Sequence, residues 1–182
     1  MCGIFTLLNN NNDNDIDKEF ITEQFNKAQH RGPDNSQIYN EQNMFIGFHR
    51  LAINGIDSVS DQPLFINNIM LICNGEIYNY KQLYENIRTK ATTNSDCEII
   101  IYLYQIFGIE YTLNLLDGVF AFILIDNNTN KIFVSRDPYG VRPIFYLKNF
   151  KDTNNITSET NIIAFASEIK QLHGFIEKET DN

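Results

Sequence analysis

The hydrophobic residues of this chain fall into short runs that are separated by polar turns. Compact apolar runs with β-branched and aromatic residues predict strands at 3–8, 37–39, 44–48, 69–73, 118–126, 131–135, 144–147 and 162–166. Helical spacing of apolar residues predicts helices at 17–29, 80–88, 99–107, 111–116 and a short last helix that ends at Leu172. The strands and helices come in blocks with hairpins, without regular βαβ alternation. This order predicts an antiparallel α+β fold with two sheets layered between helices.

Capping residues and turn residues set the expected ends of these elements. Asp17 is a predicted N-cap, and Ser95 with Glu98 three residues later predicts a capping box for the helix that follows. Asn74-Gly75 is a typical turn pair and is expected to end the strand at 69–73. Gly174 is expected to lie just beyond the last helix.

Composition and charge narrow the classes of function. The 182 residues include 43% hydrophobic and 13% aromatic residues, which is typical of a globular domain. The formal net charge is −9, so we expect neither nucleic acid nor a membrane surface as a partner. No window approaches the roughly 18 apolar residues of a membrane span, and the short apolar start lacks a basic leader.

The cysteines indicate a reducing compartment and no metal site. Cys2, Cys73 and Cys97 are too few and too widely spread to suggest a disulfide framework, and no pair has zinc-site spacing. We therefore expect a cytoplasmic protein without a bound metal.

Cys2 is the first candidate for chemistry. If Met1 is removed, residue 2 carries a thiol and a free α-amine on the same carbon. A thiol nucleophile needs a base, and an α-amine has an unperturbed pKa of about 7.7–8.0, close to the working pH. Nucleophile and base on one residue would make a catalytic histidine unnecessary. Taken alone, a cysteine at position 2 is more often an ordinary second residue.

A series of short motifs changes that balance. In chain order the sequence contains MCGIF at the start, HRGPD at 30–34, RLAI at 50–53, QP at 62–63, NGEIYN at 74–79, SDCE at 95–98, LDGVFAF at 116–122, RDPYGVRPIFY at 136–146 and FASEIKQL at 165–172. Together these motifs resemble the glutaminase domain of class II glutamine amidotransferases. Within that family they most resemble the N-terminal half of glutamine-hydrolysing asparagine synthetases. The resemblance implies an N-terminal-nucleophile fold, a four-layer αββα sandwich of two antiparallel sheets between helices.

The resemblance also implies roles for individual residues, with glutamine as the substrate. Cys2 would attack the side-chain amide carbon, and the Asn74 side-chain amide and the Gly75 backbone N–H would hold the oxyanion. The other positions that match glutamine contacts are Arg50 for the α-carboxylate, Asp96 and Glu76 for the α-ammonium, Leu51 and Ile53 through backbone groups, and Arg31 within a loop that folds over glutamine. Ala52 and Asn54 depart from the residues that the family often has beside this site.

The resemblance to asparagine synthetases also shows which domain of those enzymes has no counterpart in this sequence. We expect a glutamine amidotransferase type 2 domain at residues 1–175 and a tail at 176–182. Nothing resembles the SGGxDS-type pyrophosphate loop of an ATP-binding synthetase domain, so no cofactor is expected in this chain. ATP and Mg would belong to a missing or partner synthetase domain that receives ammonia, and a homo-oligomer is possible. The chain could be a fragment of a longer enzyme, a stand-alone glutaminase subunit, or a protein that keeps the fold but no longer hydrolyses glutamine.

Two alternatives to an asparagine-branch glutaminase remain open at this point. RDPYGVRP at 136–143 also resembles phosphoribosyl-pyrophosphate amidotransferases. A non-catalytic module that senses glutamine or assists assembly is the other alternative. A module without catalysis has no physical need for a nucleophile, oxyanion donors and both substrate contacts together, so the sequence favours the enzyme.

Overall fold

The structure is a computed structural model, and it describes residues 1–9, 17–41, 44–148 and 162–177. The strands are β1 Gly3–Asn9, β2 Asn35–Glu41, β3 Met44–Arg50, β4 Leu64–Ile66, β5 Ile69–Ile77, β6 Gly118–Asp126, β7 Lys131–Arg136, β8 Phe145–Lys148 and β9 Ile162–Ala166. The α-helices are α1 Lys18–Asn26, α2 Tyr80–Ile87, α3 Ile99–Phe107, α4 Ile109–Leu115 and α5 Lys170–Glu177. Short 3₁₀ turns lie at Gln29–Arg31, Ser58–Ser60 and Asp96–Glu98.

The described strands form two sheets in which every pairing is antiparallel. The first sheet has the order β2-β3-β1-β9-β8, and the second has the order β4-β5-β6-β7. β1 is central in the first sheet, between β3 and β9. β5 is paired with β6 along its whole length but with β4 only as far as Leu71. The second half of β5 therefore has one edge that none of the described strands covers.

Three apolar clusters show how the layers stack. One cluster packs α1 and α5 against the first sheet, and its largest members are Phe5, Phe25, Phe45 and Phe175. A second cluster packs α2 and α3 against the outer face of the second sheet. The third fills the space between the sheets with alternate residues of β1, β3, β5 and β6, namely Ile4, Ile46, Phe48, Met70, Ile72, Ile123 and Ile125. Helices thus enclose two facing antiparallel sheets, and the predicted α+β sandwich is confirmed.

Most predicted elements are present, and the differences have physical reasons. α3 and β6 have the predicted bounds, whereas β5 continues through Asn74-Gly75 to Ile77 because β6 pairs with it throughout. The predicted end at a turn was therefore wrong. The capping box was also wrong: Ser95 makes no side-chain cap, and the Glu98 carboxylate accepts hydrogen bonds from Thr92 and Thr93 instead. The three-residue strand β4 was not predicted.

The last helix is longer than its sequence suggested. Gly174 was expected to follow the helix, but it lies inside α5. A Cβ at Gly174 would lie 2.4 Å from Oε1 of Gln24, so glycine at this position allows α5 to approach α1 closely. α5 crosses the expected boundary between residues 175 and 176, and residues 178–182 lie outside the described residues.

Candidate functional site

The site lies at one open end of the sandwich, where the two sheets face each other. Even-numbered residues of β1 point toward the second sheet, as Ile4 does, and Cys2 packs against the same cluster. Even-numbered residues of β5, such as Met70 and Ile72, point toward the first sheet, so Asn74 continues that row. Cys2 and Asn74 therefore face each other from opposite sheets and line one cavity.

The thiol of Cys2 is partly buried and contacts the backbone of the residue after Arg50. The Leu51 N–H donates to Sγ at 3.4 Å, and Sγ lies 3.6 Å from the Leu51 carbonyl oxygen. Burial raises the pKa of the Cys2 thiol, and the bond from Leu51 opposes this rise. The resting group is thus a neutral thiol, and a nearby base is required before it can attack.

Histidine does not supply that base. Among the described residues that line the cavity there is no histidine. His49, two residues from Leu51, is fully buried: its Nε2 donates to the Phe25 carbonyl at 3.0 Å and its Nδ1 lies 2.7 Å from Ser36 Oγ. Its ring also stacks on Phe25 at 3.8 Å, and burial lowers its pKa. His49 is therefore a neutral structural residue.

The uncovered edge of β5 presents three backbone N–H groups to the site. In a strand, the N–H and C=O of every second residue point to the same edge. The Cys73 N–H donates to Gln62 Oε1 at 2.5 Å, and the Ile77 N–H donates to Asp96 Oδ2 at 2.6 Å. Gly75 lies midway between Cys73 and Ile77, so its N–H points to this same edge, which lines the cavity.

Asn74 brings a second donor to the same place. Its side chain is 2% exposed, and Nδ2 has no hydrogen-bond partner within the described part of the chain. A buried amide nitrogen without a partner costs about 1–3 kcal/mol, so such groups are uncommon unless a ligand completes them. Nδ2 of Asn74 and the N–H of Gly75 are adjacent donors, suited to one oxygen that carries negative charge.

Glycine at position 75 has a steric reason that the sequence did not reveal. A Cβ there would lie 2.5 Å from the Val119 carbonyl oxygen and 2.7 Å from Phe120 Cα. The close approach that requires glycine here is to the neighbouring strand β6. The absence of a side chain keeps the β5–β6 pairing regular at the residue that carries the candidate donor.

Arg50 ends β3 at the cavity and is 7% exposed. Its guanidinium forms an ion pair with Asp61 and donates to the carbonyl oxygens of Gly55 and of Asp57, the latter at 3.1 Å. These acceptors all lie on the loop after β3, and Arg50 holds this loop beside the cavity. Arg50 is therefore at the predicted place, and it also has a structural task that the sequence did not indicate.

Two carboxylates, those of Asp96 and Glu76, also line the cavity. Asp96 is 4% exposed, and burial raises the pKa of its carboxyl group, although the bond from the Ile77 N–H opposes the rise. Glu76 also lines the cavity, and its charge contributes to the same rise. A cationic ligand group here would relieve the cost of keeping Asp96 charged.

The loop at residues 30–34 is placed differently from the expected cover over the substrate. Nε of Arg31 donates to the Cys2 carbonyl at 2.8 Å, and the Asp34 carboxylate accepts from the Ala52 N–H at 2.8 Å. A Cβ at Gly32 would lie 2.3 Å from the backbone of His49. This loop packs against the backbone that carries Cys2 and Arg50, and Arg31 lies outside the cavity lining.

The cavity gathers the other predicted residues and several that sequence reasoning missed. Leu51, Ile53 and Glu76 line it as expected, and Ile53 lies at its mouth with 67% exposure. The missed lining residues include Ser60, Gln62, Ser95 and Arg142, and Asn54, already noted beside the site, lines the cavity as well. Three of the missed residues, Gln62, Ser95 and Arg142, lie in motifs that the sequence analysis had quoted, but nothing local to those motifs indicates a place in the cavity. Arg142 Nη1 lies 2.7 Å from Met1 Sδ.

The described residues show neither a metal centre nor a helix that could cross a membrane. They contain no cluster of three or more His, Cys, Asp or Glu side chains that could hold a metal ion. None of their helices has the length and apolar character that crossing a membrane requires.

Comparison with known proteins agrees with this geometry. The chain is 38% identical over 183 residues to a probable glutamine-hydrolysing asparagine synthetase of Acanthamoeba polyphaga mimivirus, covering 97% of the chain and 32% of that relative. It is 39% identical over 179 residues to the Mus musculus asparagine synthetase, covering 94% of the chain and 29% of the relative. The Gallus gallus asparagine synthetase is 42% identical over 152 residues, covering 80% of the chain and 26% of the relative.

The chain thus spans about a third or less of the length of these relatives. A family profile described as a glutamine amidotransferase domain matches residues 1–182. Because that match extends along the whole sequence, the chain belongs to the glutamine amidotransferase domain family.

Proposed function

We propose that this chain is a glutaminase, which hydrolyses glutamine to glutamate and ammonia with Cys2 as the nucleophile. The observation that carries the proposal is the side-chain amide of Asn74, which faces the thiol from the opposite sheet. Its Nδ2 is buried without a hydrogen-bond partner among the described residues, and the N–H of the next residue, Gly75, points to the edge of β5 that lines the cavity. A site that only needed to fold would have satisfied or removed this amide.

The reaction begins once Met1 is removed and Cys2 has a free α-amine. The amine takes the thiol proton, Sγ bonds to the side-chain amide carbon of glutamine, and the carbonyl oxygen becomes an oxyanion held by Asn74 and Gly75. The amine then gives its proton to the leaving nitrogen, the C–N bond breaks, and ammonia departs. Water attacks the thioester with the amine again accepting a proton, and glutamate and the thiol are released.

The cavity lining contains groups of both signs, which suit the two charges of an amino acid. Arg50 provides a cation for the α-carboxylate, in a loop that its own bonds keep in place. Asp96, supported by Glu76, provides the negative charge for the α-ammonium. Ile53 borders the mouth, whereas the Leu51 backbone contacts the nucleophile. Arg31 contacts the Cys2 carbonyl, which favours a role in holding Cys2 over direct contact with glutamine.

The ammonia is proposed to serve asparagine synthesis. The relatives named above are glutamine-hydrolysing asparagine synthetases that are more than three times as long as this chain. A synthetase domain or subunit that binds ATP and Mg would receive the ammonia, and this chain would need no cofactor of its own. The three free cysteines fit a cytoplasmic location.

The test combines intact-mass spectrometry with a glutaminase assay. We expect the purified protein to lack Met1 and to release ammonia and glutamate from glutamine. The glutamine-like electrophile diazo-oxo-norleucine should label Cys2 once per chain and leave Cys73 and Cys97 unlabelled, because both are buried. Cys2→Ala should fold normally and release no ammonia.

Three results would contradict the proposal. They are a retained Met1 on an active enzyme, labelling at Cys97 instead of Cys2, and undiminished ammonia release by the Cys2→Ala variant. Glutamine that stabilises the wild type against heat without being hydrolysed would instead indicate a glutamine-binding module.

A further inference from the structure

We infer that Glu168 is a positioning residue, which acts through Arg31 to fix the backbone of the nucleophile Cys2. This inference rests on the proposed glutaminase function and adds to it a part of the molecule outside the cavity. It concerns the FASEIKQL motif at 165–172, whose acidic residue Glu168 has no task in the reaction described above. Glu168 contacts Arg31, and Arg31 contacts Cys2, so these three residues form a continuous path from the acid to the nucleophile.

The path consists of two short polar contacts. Nη1 of Arg31 donates to Glu168 Oε1 at 3.1 Å, and Nε of the same guanidinium donates to the Cys2 carbonyl at 2.8 Å. One planar guanidinium therefore joins the carboxylate to the peptide group of the nucleophile. Because the guanidinium is rigid, fixing its far side also fixes the direction of the bond to Cys2.

The buried guanidinium of Arg31 requires a negatively charged partner. The Arg31 side chain is only 9% exposed, and its Nη2 has no hydrogen-bond partner among the residues that the structure describes. A mostly buried guanidinium needs a compensating anion, and Glu168 is its ion-pair partner at 3.1 Å. Burial opposes the shift, but hydrogen bonds from Lys170 and Arg31 and the nearby charges of Lys170 and His30 lower the pKa of the Glu168 carboxyl, so this acid stays charged.

The residue before Glu168 holds the next part of the same strand. The Ser167 N–H donates to the Ile4 carbonyl at 2.9 Å, and the Ile4 N–H donates to Ser167 Oγ at 2.9 Å. Ser167 and Glu168 together therefore secure β1 at Ile4 and at Cys2. The segment that follows β9 thus anchors the beginning of the strand that carries the sulfur.

Such an anchor affects the chemical step more than substrate affinity. The carboxylate of Glu168 is outside the cavity, so its loss removes no contact with glutamine. It would let Cys2 drift relative to Asn74 and Gly75, and a misplacement of about 1 Å can reduce the rate by about 100-fold. A role of Arg31 in binding glutamine would have the opposite signature, a raised KM with kcat retained.

The experiment compares Glu168→Ala, Glu168→Gln and Lys170→Met with the wild-type chain. Lys170 is the matched control, because its Nζ contacts the other oxygen of Glu168 at 2.8 Å and its side chain is 50% exposed. We expect Glu168→Ala to reduce kcat about 10- to 100-fold with KM changed less than about threefold. Glu168→Gln keeps an acceptor oxygen for Arg31 and should recover part of kcat, and Lys170→Met should match the wild type.

A second readout separates this inference from the proposed function. The rate at which iodoacetamide alkylates Cys2 needs no turnover, and we expect it to change in Glu168→Ala and not in Lys170→Met. If the wild type hydrolyses no glutamine, the proposed function fails while the alkylation result still tests the anchor. If Glu168→Ala stays folded with wild-type kcat and wild-type alkylation, or raises only KM, the positioning role is wrong.

Discussion

Replacement of Asn74 by leucine tests the oxyanion site through two effects of opposite sign. The side chain is 2% exposed, and its Nδ2 has no partner among the described residues. Leucine has nearly the same shape and volume, so the packing between the sheets is retained while the donor is lost. We therefore expect kcat to fall and the free energy of unfolding to rise.

Both magnitudes follow from the geometry. Loss of one of two oxyanion donors is expected to reduce kcat about 100- to 1,000-fold, equivalent to about 2.7–4 kcal/mol of transition-state stabilisation. Removal of a buried amide nitrogen without a partner relieves part of a cost of about 1–3 kcal/mol. A gain of about 1 kcal/mol would raise Tm by about 2–4 °C in a chain of this size.

The assay pairs ammonia release with thermal unfolding and uses Thr6→Val as the control. Thr6 is fully buried on β1, and its Oγ1 has no partner in the described part of the chain. Thr6→Val should therefore raise Tm by a similar amount and leave kcat unchanged, because Thr6 is outside the cavity lining.

Two outcomes would refute the reasoning. If Asn74→Leu keeps kcat within about threefold of the wild type, the side chain is not an oxyanion donor. If it instead lowers Tm by several degrees while Thr6→Val raises it, the amide of Asn74 stabilises the fold, and the argument that it is an unsatisfied group awaiting a ligand is wrong.

Three further variants test the neighbouring residues. Arg50→Lys should raise the KM for glutamine at least about tenfold, because an ammonium cannot replace a bidentate guanidinium; an unchanged KM in steady-state kinetics would place the carboxylate elsewhere. Burial raises the pKa of the Asp96 carboxyl, so between its unfolded and folded pKa values the free energy of unfolding falls as pH rises. Asp96→Asn should remove this dependence, raise stability at pH 7 and raise the KM for glutamine; urea unfolding from pH 4 to 8 that matches the wild type would contradict this. Gly75→Ala should destabilise the protein by about 1–3 kcal/mol, because its Cβ would lie 2.5 Å from the Val119 carbonyl oxygen; an unaltered Tm would mean that β5 and β6 can separate freely.

Sequence alone determined the class of fold and indicated the residues of the candidate site. Apolar runs of strand length and helical spacing depend only on neighbours along the chain, so α3 and β6 were predicted with their bounds. A thiol at residue 2 and the motifs at 50–53, 74–79 and 95–98 carried the candidate site, and the structure places Cys2 and residues from each of these motifs around one cavity.

Tertiary structure decided what lies beside those residues in space. The turn expected at Asn74-Gly75 became strand because β6, more than forty residues later, pairs with it. The Glu98 carboxylate accepts hydrogen bonds from Thr92 and Thr93 and forms no capping box. The Arg31 guanidinium donates to the Cys2 carbonyl and does not line the cavity. Each of these outcomes depends on contacts between segments distant in sequence or on a loop conformation, and local propensity carries no information about either.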